Sequence, residues 1–174
     1  MPSTYYIDGY NVIHHSSLLK PLAVQNFEAA RDALIEKVGR FCAATGSLAK
    51  IVFDGRGRQI QPLSPSLQYP GLEVLYSPGH QSADTVIERI VYKSPNRRNV
   101  IVVSADRGIR DLCRGLNALV MEPDNFLASV READTDTRIT LERIGRPDSL
   151  LRVEERLDDA ALAKLAKIRR EISR

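Results

Sequence analysis

Thr4-Tyr5-Tyr6-Ile7-Asp8-Gly9-Tyr10-Asn11 is the stretch that decides the fold. A run of aromatic and β-branched residues stops on an acid, and a glycine follows, whose missing side chain lets backbone approach a ligand. A strand that hands an acid to the loop after it is the unit of an open parallel sheet, where ligands bind beyond the carboxyl ends of the strands. The unit returns at Val102-Val103-Ser104-Ala105-Asp106. Working outward, strands are expected at residues 4–8, 50–54, 72–76, 99–104 and 118–122. Segments of helical period alternate with them. Residues 26–45 place Phe27, Ala30, Leu34, Val38 and Phe41 three or four apart and stop at Gly46. Residues 82–93 begin at Ser82, a good N-cap, and carry an Ala83, Val86, Ile87, Ile90 and Val91 stripe. Shorter helices are expected at 106–115 and, opened by Pro123-Asp124, at 124–133. The pattern predicts an α/β fold, a central parallel sheet of about five strands flanked by helices in three layers.

Composition narrows the class. The chain has 174 residues, 43% apolar and 27% charged, which suits one domain core. That core is expected at residues 1–134, with 135–174 a charged helical extension. The extension is broken at Gly145-Arg146-Pro147 and ends in a helix at 158–172 that docks on the same domain through Ala161, Leu162, Leu165 and Ile168. Apolar runs reach only about five residues, against the roughly 20 that a membrane span needs, so no membrane partner is expected. Met1-Pro2-Ser3-Thr4-Tyr5 lacks a basic region followed by an apolar stretch, which predicts a cytoplasmic protein. Cys42 and Cys113 lie far apart, so neither a disulfide framework nor a thiolate zinc cluster is available, and buried free thiols are expected. Lys and Arg exceed Asp and Glu by 25 to 22, a balance of +3 that permits a nucleic-acid partner without demanding one.

Three acids fall at equivalent ends of neighbouring elements: Asp8, Asp106, and Asp84 in Ser82-Ala83-Asp84-Thr85-Val86-Ile87-Glu88. Taken singly each has a plainer role. Asp8 could cap a turn, Asp84 could answer the helix dipole, and Asp106 could be an N-cap. Together they would crowd carboxylates onto one spot, where repulsion is costly unless a cation sits among them. All-oxygen ligands select Mg²⁺ or Mn²⁺, the usual apparatus of phosphodiester hydrolysis.

Tyr6-Ile7-Asp8-Gly9-Tyr10-Asn11-Val12-Ile13, then Val52-Phe53-Asp54-Gly55, the 82–89 segment and Val103-Ser104-Ala105-Asp106 resemble the NYN domain in its YacP-like branch, over roughly residues 4 to 130. The resemblance implies a PIN-like fold, metal-dependent ribonuclease activity, and a link to RNA turnover or the translating ribosome. It assigns Asp8, Asp84 and Asp106 to the metal and Asn11 to orienting the first acid's loop. A fourth acid is expected at Glu88 or Asp111, with Asp54 read as mainly structural or at most supporting a metal ligand from behind.

His14, His15 and His80 each lie near one of the acids, and His14 and His80 are candidate RNA contacts. Arg56 and Arg58 after the second strand, with Tyr10 and Tyr69, suit a single-stranded RNA path of phosphate contacts and stacking. Lys93, Arg97 and Arg98 precede the fourth strand and so belong to the opposite edge, as solvated loop residues. The function expected is a Mg²⁺- or Mn²⁺-dependent endoribonuclease acting on single-stranded RNA, such as mRNA on the ribosome. The alternative is a catalytically inactive RNA- or ribosome-binding adaptor on the same fold.

Overall fold

In the computed structural model five parallel strands form one sheet in the order β3-β2-β1-β4-β5. The strands are β1 (Thr4–Asp8), β2 (Leu48–Phe53), β3 (Leu72–Tyr76), β4 (Val100–Val103) and β5 (Leu119–Met121). The structure describes residues 2–55 and 68–144. Arg56, Arg58, the 145–147 break and the 158–172 helix lie outside them. The chain divides into two compact units, Met1–Thr135 and Asp136–Arg174.

The chain winds from β1 outward to β3, then returns past β1 to add β4 and β5 on the other side. The switch point, where a crevice opens at the carboxyl edge of such a sheet, therefore falls between β1 and β4. Alternation along the strands sorts side chains between two apolar layers. Ile7, Ile51, Phe53 and Val103 pack with Val12, Leu34, Val38 and Phe126 on one face. Tyr6, Val52 and Val102 pack with Ala83, Ile87, Ile109 and Cys113 on the other. Both cysteines are buried and free, as expected, and burial pushes both thiols up to about 11. They are packing residues and not nucleophiles.

Helix ends follow local chemistry. The helix α3 (Phe27–Thr45) starts where Asn26 Oδ1 accepts from Ala29 N at 3.1 Å, and it stops where Gly46 adopts φ 67°, a left-handed turn costly for a residue with a side chain. The helices α4 (Ala83–Lys93) and α5 (Arg107–Gly115) are capped by Ser82 and Asp106.

Two expectations are corrected. The helices α1 (Gly9–His15) and α2 (Leu19–Gln25) occupy a region given no element, each only 7 residues long and too short for a period to stand out. Pro21 in α2 falls in the first turn, where no N–H partner is lost. The helix α6 runs Pro123–Ile144 and does not end at 133, because no breaker intervenes before Gly145.

Candidate active site

Asp8 is the last residue of β1 and is 6% exposed, unusual burial for a carboxyl group. Its Oδ1 accepts from Asn11 N at 3.0 Å, capping α1. Asn11 in turn reaches across the switch point, where its Oδ1 accepts from Ala105 N at 2.9 Å. One asparagine thus ties the loop after β1 to the loop after β4, which fits the orienting role the resemblance implied. That second loop is held again by Ser104, fully buried, whose Oγ accepts from Asp106 N at 3.1 Å.

Asp84 enters from the first turn of α4, which packs over the β1 and β2 side of the sheet. It shares a side-chain hydrogen bond with Asp8. The contact couples the two acids, raising Asp8 and lowering Asp84. Burial is the largest cause of the rise of Asp8 to about 6, the Asn11 N–H opposes it, and Asp84 and Asp106 add to it. Asp84 is also raised, first by burial and then by Asp106 and Asp54, while its bond to Asp8 works the other way.

Asp106 is exposed, and its Oδ1 accepts from Ile109 N at 3.1 Å, making it the N-cap of α5. It therefore carries both the plain role and proximity to the other acids. Among the described residues no three His, Cys, Asp or Glu side chains already surround a point that could hold a metal. Asp8 and Asp106 each have one oxygen committed to a helix N-terminus. The donor set still fits a hard cation: it is all carboxylate oxygen, and the acids oppose one another's ionisation without a positive charge among them. Asp8, Asp84 and Asp106 are the residues that would hold it.

The remaining candidates separate. Asp111 is exposed and pairs with Arg114 at 3.1 Å, away from the site. Glu88 lies one turn beyond Asp84 and acts on Cys113, not on Asp8 or Asp84. Tyr10 stacks on Phe27 with centroids 4.7 Å apart, and His14 lies across it at 6.4 Å, so its ring is largely taken by packing. His15 Nδ1 donates to Asn11 O at 2.8 Å. His80 is exposed in the loop between β3 and α4, on the same edge as the acids. Arg97 lies over the Tyr92 ring at 5.6 Å and donates to Tyr92 O, local packing on the opposite edge.

Gly9 has a different purpose from the one its position suggested. A Cβ there would come within 2.3 Å of Phe53 Cε1, so the glycine makes room for a core ring and not for a ligand. The sequence reading also missed the two buried serines that hold the acid loops, Ser104 and Ser77. Ser77 Oγ donates to Asp54 Oδ1 at 3.3 Å and accepts from Gly55 N at 3.1 Å. A serine following a strand is so common that no local signal distinguishes these two.

Known proteins share this fold. The chain resembles the crystal structure of Rae1 (YacP) from Bacillus subtilis, with a TM-score of 0.70 and 24% identity over 96% of this chain and 94% of that one. A point mutant of the same protein gives 0.69 and 24%, over 82% and 83%. These matches show the PIN-like α/β fold. The uncharacterized protein YacP of Bacillus subtilis (strain 168) is 33% identical over 84 residues, which is 48% of this chain and 48% of that protein, so the match spans about half the relative's length. The family model of the YacP-like NYN domain, a nuclease-related domain, matches residues 5–170. It continues well past residue 130, through the segment expected to be an appendage. By the extent of that match the chain belongs to the YacP-like NYN domain family.

Proposed function

We propose that this protein is a Mg²⁺- or Mn²⁺-dependent endoribonuclease that cleaves single-stranded RNA, with mRNA, free or on the ribosome, as its substrate class and the cytoplasm as its place of action. The observation that carries the reading is Asp8, buried at the switch point with Asp84 and Asp106 both opposing its ionisation. A fold gains nothing by burying a carboxyl group among other carboxyls, so the arrangement points to a bound positive charge. The membership in a nuclease-related family and the PIN-like fold support the same class of chemistry. No described helix is long and apolar enough to cross a membrane.

When bound, the cation supplies neutralisation of charge on the scissile phosphate and a water activated for in-line attack. The chain's own residues do the rest. Asn11 fixes the Asp8 and Asp106 loops to each other, so the two acids keep a constant separation across β1 and β4. Burial and the neighbouring acids raise Asp8, so a positive charge held among Asp8, Asp84 and Asp106 would favour its ionised, ligating form. His80 and His14, exposed beside the acid edge, and Arg56 and Arg58 after β2 provide positions for contacts to the RNA backbone.

The test is cleavage of a labelled single-stranded RNA by chelated protein and by the same protein given Mn²⁺ or Mg²⁺. Cleavage that appears only with the cation, and is lost in Asp8→Asn while RNA affinity stays within a few fold, is the expected result. RNA binding without cleavage under every cation would make the protein an RNA-binding adaptor instead.

A further inference from the structure

Beside the acids, a row of rings leads out of the core. Phe53, 1% exposed, meets Tyr10 edge-on with centroids 6.1 Å apart and planes at 77°. Tyr10 stacks on Phe27 at 4.7 Å and 16°, and on His14 at 6.4 Å and 25°. These are separations at which aromatic rings attract one another. Burial falls along the row, from the core ring Phe53 through half-buried Tyr10 and Phe27 to exposed His14. Tyr10 and His14 are four residues apart and so share one face of α1, the helix capped by Asp8. At about 1.5 Å of rise per residue, His14 stands roughly 9 Å along that helix from Asp8. Its ring nitrogens have no hydrogen-bond partner among the described residues, whereas His15 Nδ1 is bonded to Asn11 O at 2.8 Å. His14 therefore ends the row in solvent, with its ring orientation already set and its polar atoms uncommitted.

We propose that the exposed ring of His14 is a stacking platform for one base of single-stranded RNA, braced from behind by Tyr10, Phe27 and Phe53. The inference rests on the nuclease reading above and deepens it: His14 meets RNA through its ring and a base, and not through charge and the backbone. Single strands splay their bases and stack them on aromatic side chains, His included, and a ring already held in place loses little freedom in receiving one. Every base has a π-face, so the platform grips the strand without reading its sequence. A duplex keeps its bases inside and cannot use it, which gives a preference for single strands a physical cause. Asn11, on the same short helix, bonds to the loop that carries Asp106, so a base held by His14 fixes the strand relative to the acids.

The experiment titrates full-length wild type, His14→Ala and His14→Phe, in chelator so that the strand stays whole, into two fluorescently labelled probes read by anisotropy. One is a single-stranded RNA, and the other is a strand of the same length made of base-free sugars. On the RNA, His14→Ala should bind about fivefold to a hundredfold more weakly than wild type, the cost of one lost stack, with an unchanged salt slope, and His14→Phe should bind within a few fold of wild type. On the base-free strand all three proteins should bind alike. That arm and the rescue by phenylalanine separate a lost stack from a damaged fold. If His14→Ala binds the RNA as wild type does, the exposed ring serves something else, a partner protein included, and the inference is overturned while the nuclease reading stands. Equal weakening on both probes, a failure of His14→Phe to rescue, or a salt slope reduced by roughly 0.7 would make His14 a backbone contact and overturn it too. Wild type that binds neither probe would fail the nuclease reading itself and take the inference with it.

Discussion

Replacing Asp8 by asparagine should stabilise the protein in chelator, by an amount that grows with pH. Asp8 titrates near 6 in the fold, against an ordinary value of 3.8. Because the folded value is raised, the native state holds more protons than the unfolded chain between those two values, and stability falls as pH rises through that window. At 1.36 kcal/mol per unit the full cost of ionising Asp8 is about 3 kcal/mol at about pH 8, and about half of that at about pH 5. Asparagine mimics the protonated acid permanently. Its Oδ1 can still accept from Asn11 N, and its amide can donate to Asp84. The variant should therefore gain on wild type by roughly 1.4 kcal/mol between these two pH values, whatever constant packing cost it carries. For a chain of this size that is a widening of about 3–6 °C in melting temperature. Circular-dichroism melts and urea titrations in chelator at both pH values read it directly. A difference between variant and wild type that stays constant or shrinks with pH would refute the raised ionisation of Asp8. Adding Mn²⁺ should reverse the order, since only wild type can exchange the proton for the cation and gain by linkage.

Asp106 separates its two roles by chemistry. Asp106→Asn keeps an N-cap oxygen and should melt within a few tenths of a kcal/mol of wild type, whereas Asp106→Ala should lose about 1 kcal/mol, yet both should fail to cleave RNA. Cleavage by either would remove Asp106 from the cation site. Asn11→Ala leaves the Ala105 N–H without its partner across the switch point, and should cost about 1–3 kcal/mol together with a fall in cleavage rate; an unchanged urea midpoint would contradict it. Gly9→Ala drives a methyl into Phe53 and should destabilise by about 1–3 kcal/mol in a urea titration, with Phe53→Leu expected to recover part of that loss. Arg56→Ala with Arg58→Ala should weaken RNA binding and reduce its salt slope by roughly 0.7 per lost phosphate contact; an unchanged slope would remove both from the RNA path.

What the sequence by itself determined is the local grammar. The strand ending at Asp8, the apolar spacing from Phe27 to Phe41, the caps at Ser82 and Asp106 and the stop at Gly46 are written in contiguous residues, because a strand's period, a helix's period and an end cap are all satisfied within a few positions. The same locality explains why Asp8, Asp84 and Asp106 could be named. What only the tertiary structure decided is which groups face one another. The α1 and α2 helices are too short to announce themselves and exist because Val12, Ile13 and Leu19 find a core to enter. The coupling of Asp8 to Asp84, and the Asn11 bond to Ala105, join residues far apart in the chain. Where Glu88 and Asp111 lie, one turn along α4 and beside Arg114 on α5, is likewise set by how those helices pack. The register that sets Asp8 beside Val52 is fixed by burial of whole strand faces and not by any residue near the acid.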